Sequence, residues 1–388
     1  MDTKTNRLKL GIAAAVLLFC LACSAQVTPS PIPELLPGGS TYTIASITTI
    51  NEPYVKSMDW SHTKNLIAFG KLDLQDRYYD VYVMEPDGTN EKCLTCGKPG
   101  VPQKHNGNPA WHPSGDYIVF TAENPDNPVE HDRYAVPGSG FHCALWLMTS
   151  DGKDFYQLTE YSTERPIKGV IHPQFSHDGT RLLWAERVDS GNNLGGGWVL
   201  KIADFVDSDS APHLENVETL TPGEQDCFYE GHAFSNDDKK ILFSGNLISG
   251  QTPYGMDIYE FDLESGELVR LTASDDEWDE HAHYSPDGSK IAWMSSTGFD
   301  IDWDVVEEGD HFDYLVTELW IMDADGSHPQ RLTHFNDPDH PDYLGKTIVS
   351  DSSWGPDGKS LAVLVAYETE RGGLNSKIVI VELDNQVL

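Results

Sequence analysis

The chain has 388 residues, with 62 Asp and Glu against 26 Lys and Arg for a formal charge of -36. Its 33 Gly, 23 Pro and 39% hydrophobic residues describe a turn-rich globular protein with ample core material, excluding a coiled coil or a disordered chain. So acidic a surface repels phosphate backbones, which excludes nucleic acid as a partner and favours cations.

In chain order, Lys4, Arg7 and Lys9 precede an apolar run from Gly11 to Leu21. The run is too short for an ordinary membrane anchor and reads as an export signal over residues 1–22. Its end, Cys20-Leu21-Ala22-Cys23, resembles a bacterial lipobox with Cys23 as the lipidated residue. A Pro-rich tether over 23–39 follows, so a lipid anchor on the outer side of a bacterial membrane is expected.

Beyond the signal only Cys93, Cys96, Cys143 and Cys227 remain. The Cys93-Leu94-Thr95-Cys96 spacing suits a zinc half-site, a redox pair, one structural disulfide (Cys143 being a conceivable partner) or free thiols. A structural disulfide or free thiols is the preferred reading, because no second cysteine pair follows and the motif ends a predicted strand.

From residue 40 onward the chain repeats itself. A short strand ending in an aromatic residue, a polar turn and an apolar strand recur six times, with anchors at Trp60, Trp111, Phe175, Phe234, Tyr284 and Trp354. The turn is Pro-Asp-Gly at 286–288 and 356–358, with relatives at 113–115 and 177–179, where Gly supplies the positive φ of a tight hairpin. A second hairpin and a Leu-Thr pair (Leu94-Thr95, Leu158-Thr159, Leu220-Thr221, Leu271-Thr272, Leu332-Thr333) complete each unit. Four strands per unit predict an all-β, six-bladed β-propeller over 40–388. The last copy ends without a fourth strand, and the alternating Tyr42–Thr48 segment is the right length to close the ring.

The repeated W-S-P-D-G and L-Y-V-M-D-x-D-G…L-T pattern resembles the TolB-like propellers, a periplasmic family. The resemblance implies a monomeric exported platform that binds an envelope protein, peptide or glycan. Relatives include gating domains of prolyl peptidases and metal-dependent oligogalacturonate lyases. A Gly-x-Ser-x-Gly elbow, a phosphate loop, a His-Glu-x-x-His helix and a dinucleotide fingerprint are all missing from the sequence, which also has no room for an α/β-hydrolase domain.

Histidines gather at the starts of the predicted innermost strands: His172, His232, His281 and His283. Strand alternation puts His281 and His283 on one face, with His232 approaching from the preceding blade. Imidazoles suit a divalent Mn, Zn, Fe or Ni, with Ca as the hard-ion alternative. His232, His281 and His283 are therefore the expected metal set, and His172, Glu230 and Glu280 the expected ligand-binding neighbours. The resemblance to the lyases maps the same three histidines onto their metal, although that family's preceding Gln is Trp278 here. The bland alternative is that these histidines cap inner strands and bond to neighbouring backbone. Asp275 to Asp313 carries thirteen acids and one base, and its Asp300-x-Asp302-x-Asp304 alternation lacks the Gly and distal Glu of a calcium loop. A solvated insertion is expected there.

Overall fold

The computed structural model describes residues 41–162, 167–188, 197–208, 210–223, 227–252, 254–274, 276–306, 311–370 and 373–386. The expected signal, tether and Cys23 lie outside the described residues. Among those described, no helix is long and apolar enough to cross a membrane.

Six four-stranded antiparallel sheets form the blades of a propeller. Blades 1 to 5 each take four consecutive strands, beginning with Val55–Trp60, Asn106–Trp111, Gly169–Phe175, Tyr229–Phe234 and Asp279–Tyr284. Blade 6 takes Thr347–Trp354, Ser360–Glu368 and Leu374–Gln386, and its outer strand is Thr41–Asn51 from the other end of the chain. The expected closure is thus present, a little longer than Tyr42–Thr48. Each innermost strand packs beside the next, and the last beside the first.

The core lies in the seams between blades. Leu183 and Leu200 of blade 3 bury against Tyr229, Phe234 and Phe243 of blade 4, and Val81 of blade 1 against Trp111 and Phe120 of blade 2. Each such fully buried side chain contributes roughly 1.5–3 kcal/mol. Closure depends on the same physics, since Tyr42, Ile44 and Ile47 of the N-terminal strand pack on the seam cluster holding Val379 and Val381. That strand is also pinned to blade 5, where Gln330 accepts from the Tyr42 N–H and donates to its carbonyl.

The repeated motifs have clear mechanical roles. In the turns, Ser176, Ser235 and Ser285 donate to Asp178, Asp237 and Asp287 at 2.7–2.8 Å. Where copies 1 and 4 lack the turn Gly, Asn65 and Asp238 adopt the left-handed conformation that Asn and Asp tolerate best after Gly. In the Leu-Thr pair, Leu94, Leu271 and Leu332 are buried, and the Thr95, Thr159, Thr272 and Thr333 hydroxyls accept the N–H of the third strand at 2.8–3.0 Å. Those of Thr95 and Thr333 then donate to the buried acids Asp80 and Glu318.

One open pairing is resolved and one expectation is corrected. The disulfide joins Cys93 to Cys96, and Cys143 is a buried free thiol. The acidic insertion is solvated on one side only: Asp300, Asp302 and Asp304 are exposed, while Trp303 is buried and stacks on Tyr254 at 5.0 Å. Trp303 opens a short 3-10 helix capped by Asp302, which turns the indole inward while its acidic neighbours face solvent.

Candidate metal centre in the channel

Every innermost strand carries a β-bulge two to four residues before its aromatic anchor. The ladder register gains one extra residue on the inner strand each time: one against none between Lys56 and Met58, Gly231 and Ala233, and Val349 and Asp351, and two against one between Gly107 and Ala110, Ile171 and Gln174, and Glu280 and His283. The extra residue leaves the ladder, and bulges commonly re-aim side chains next to functional sites. His172 (φ 49°) and His281 (φ 55°) sit in the left-handed region, as do Ser57 and Asn108 at the equivalent places of blades 1 and 2. Non-Gly residues held there cost of order 1–3 kcal/mol and persist only where the surroundings enforce them.

The bulges bring four donors together. One ligand atom each from His172, Glu230, His232 and His281 lie within 4.8 Å of one another. His172 Nε2 is 3.1 Å, and His281 Nε2 3.9 Å, from Glu230 Oε1. The His172 and His281 rings are 4.8 Å apart and those of His232 and His281 5.1 Å. His172, Glu230 and His232 are all buried, His232 almost completely. Its Nε2 accepts from the His281 backbone N–H at 3.3 Å and lies 2.6 Å from Ser244 Oγ. Nδ1 of both His232 and His281 is buried without a hydrogen-bond partner among the described residues.

The electrostatics keep these imidazoles neutral. Burial pushes His172 down to about 3 and His281 to about 4, and holds His232 well below the ordinary histidine range, with the neighbouring imidazoles adding to each. A neutral ring keeps the lone pair a metal requires. Burial, then the charge and hydrogen bond of Glu280, hold the Glu230 carboxyl well above its usual range, and burial pushes Glu280 up to about 7. A like-charged pair in a dry site is expected to retain a proton, and a divalent cation would relieve it.

His283 stands apart from this group. Its Nε2 is 3.6 Å from Asp351 Oδ1 on blade 6, and the same oxygen is 3.7 Å from His281 Nδ1. Glu280 lies beside the four donors, with Oε2 3.8 Å from His281 Nε2. Of the histidines singled out in the sequence, the structure therefore joins His172, His232 and His281 and turns His283 to a different carboxylate. The bulge is the reason: alternation fails across 281–282, so His281 faces both Glu230 and Asp351 whereas His283 faces Asp351 alone of the two. The bland reading is also partly visible, since His232 does bond to neighbouring backbone and hydroxyl.

Sequence reasoning missed Asp351 and Asn108. Asn108 Nδ2 is 3.3 Å from His172 Nε2, and its Oδ1 accepts from the Gly138 N–H. The signal was present. Reading the position three residues before each aromatic anchor gives Ser57, Asn108, His172, Gly231, His281 and Asp351, which are channel positions irrespective of residue type.

No family model and no curated protein matches the chain. Among solved structures, a protein assigned as TolB from Agrobacterium tumefaciens superposes with TM-score 0.51 at 16% identity, covering 90% of this chain and all of that one. An oligogalacturonate lyase from Vibrio parahaemolyticus gives 0.49 at 10% identity, over 88% of this chain and 97% of that one. Another oligogalacturonate lyase, in complex with manganese, gives 0.47 at 12%, over 91% and 98%. The protein is a TolB-like propeller in fold.

Proposed function

We propose that this protein is an exported, lipid-anchored propeller of the cell envelope whose channel binds one divalent transition metal, and that the metal-bearing ring serves as a monomeric binding platform. The observation that carries the metal is the meeting of His172, Glu230, His232 and His281 within 4.8 Å, with the buried His232 Nδ1 left without a hydrogen-bond partner among the described residues. Three imidazoles and one carboxylate fit Mn, Fe, Zn or Ni and disfavour Ca, which prefers six or more oxygens. Asp351 supports the fit, because metal-bound histidines commonly direct their second nitrogen at a carboxylate. Four protein donors satisfy a structural ion. Lipid anchoring rests on the Cys20–Cys23 motif, and the platform role on the enclosed position of the cluster. Metal analysis of protein purified without chelator tests the reading: about one transition metal per chain is expected, falling to background in His172→Ala.

A second reading is favoured by one specific feature. His283, partly exposed and 3.6 Å from Asp351, stands beside the four donors as a candidate base for metal-assisted lysis of an acidic glycan. That reading expects His283→Ala to keep its metal and abolish the ultraviolet absorbance of unsaturated product formed from a pectic oligosaccharide. No product with the unmodified protein would retire it and leave the platform.

A further inference from the structure

The outer edge of blade 1 departs from those of blades 4 and 5 in a way that creates a second chemical site. In blades 4 and 5 the acid that opens the third strand faces an arginine from the fourth. Asp257 holds Arg270 at 2.7 Å and Glu318 holds Arg331 at 2.9 Å. The ladder fixes the equivalence: Arg270 pairs with Tyr259, Arg331 with Trp320 and Cys93 with Tyr82, each two residues past its acid. Cys93 therefore occupies the arginine position in blade 1, and the equivalent acid is Asp80. Asp80 keeps the threonine bond, from Thr95 Oγ1 at 2.6 Å, but no basic side chain among the described residues ion-pairs with it. A buried carboxyl that has lost its cation faces a disulfide instead.

The disulfide is poorly placed to staple the fold. It closes a ring of only two intervening residues on one strand edge, so it removes little freedom from the unfolded chain and joins no two blades. Both cysteines are partly exposed. The local donors suit exchange: the Cys96 backbone N–H points at Cys93 Sγ at 3.0 Å, and Tyr82 Oη lies 3.3 Å from Cys96 Sγ. An N–H aimed at sulfur stabilises a thiolate there. A carboxylate oxygen of Asp80 and both sulfurs lie within 4.8 Å of one another, a span that one water can bridge.

We propose that Cys93–Cys96 is an exchange-active disulfide that accepts two electrons from an external dithiol, with Asp80 relaying protons. A donor thiolate attacks Cys96 Sγ, forming a mixed disulfide. The Cys93–Cys96 bond breaks, and its electron pair leaves on Cys93 Sγ, held by the Cys96 N–H. The donor's second thiolate then attacks the mixed disulfide at the donor sulfur, releasing Cys96 and closing the donor's own disulfide. The two protons lost by the donor thiols end on Cys93 and Cys96, with Asp80 as carrier. Burial supports the relay by pushing the Asp80 carboxyl up to about 6, despite the Thr95 bond.

The test uses the whole protein, folded, with dithiothreitol as donor and maleimide mass tagging to follow free thiols, and with thermal melting read alongside. Full reduction without unfolding is expected. Asp80→Asn should slow it at least about ten-fold, Asp80→Glu should restore much of the rate, and Cys93→Ser with Cys96→Ser should melt as the parent does. Tyr82→Phe, which keeps the ring and removes only the hydroxyl, serves as the second variant if Asp80→Asn misfolds, and it too should slow reduction. A disulfide that resists dithiothreitol until the chain unfolds would overturn the proposal. Equal rates in the parent and in the folded variants would do the same.

Discussion

The two halves of the channel share one backbone and differ in chemistry. Blades 3, 4 and 5 place His172, His232 and His281 at their bulges, whereas blades 6, 1 and 2 place Ser350, Ser57 and Asn108 at theirs, the bulge falling one residue nearer the anchor in blade 4 and one farther in blade 6. The bulge therefore belongs to the repeat, and the metal-binding potential belongs to three side chains that occupy it on one side. Function on a symmetric frame is written where equivalent positions diverge. The same lesson holds at the outer edge, where blades 4 and 5 pair acid with arginine and blade 1 has a disulfide.

The largest effect expected is on the ring that both halves require. Deleting residues 24–51 removes the outer strand of blade 6 and exposes an apolar edge, so aggregation or loss of a cooperative melting transition should follow. A soluble truncation that melts as the parent would break the closed-ring account. Next comes conversion of the rich half to the poor one: His172→Ser should abolish metal retention after dialysis, while Ser57→Ala leaves it intact. Equal retention by the two variants would erase the distinction between halves.

At the outer edge the sign of an Asp→Asn change should differ between blades. Burial raises Asp80 from 3.8 to about 6, so its contribution to stability is complete below pH 4 and is lost as pH rises through 6. Asp80→Asn should therefore be near neutral at pH 4 and stabilising by up to about 3 kcal/mol at pH 8. Burial raises Asp257 to about 6 as well, in spite of Arg270, so what separates the two blades is the cation: Asp257→Asn should destabilise at both pH values, by about 3 kcal/mol, because it strands the buried Arg270 guanidinium. Paired melting curves at the two pH values check both. The smallest effect is that of Asp351→Asn, which should weaken metal affinity about ten- to a hundred-fold without removing the ion, as an outer partner of His281 would. Titration of the apo-protein with Mn or Zn measures it.

The architecture was readable because each repeat carries its own local physics. Ser-x-Asp turns, left-handed Gly, Asn or Asp, and the Leu-Thr lock are short-range devices that leave a mark in the sequence. The closing strand was readable as a hydrophobic alternation with no partner nearby. The candidate site was readable only in part. Histidine identity flagged three of its members, but period-two alternation misassigned the company of His283, since a bulge adds a residue with no compositional signature. Asp351 and Asn108 were hidden by being common residues, visible only when the six copies are compared column by column. The Cys93–Cys96 pairing was open because spacing alone allows a disulfide, two thiols or a metal half-site.

Whether the bulges of blades 3 to 5 hold a metal decides how this channel is to be understood. Elemental analysis of full-length protein purified without chelator, set beside His172→Ala, His232→Ala, His281→Ala and His283→Ala, tests it most directly. About one Mn, Fe, Zn or Ni per chain is expected in the parent and in His283→Ala, and background levels in the other three. No metal in the parent, with no rise in melting temperature on adding any of these ions, would contradict it.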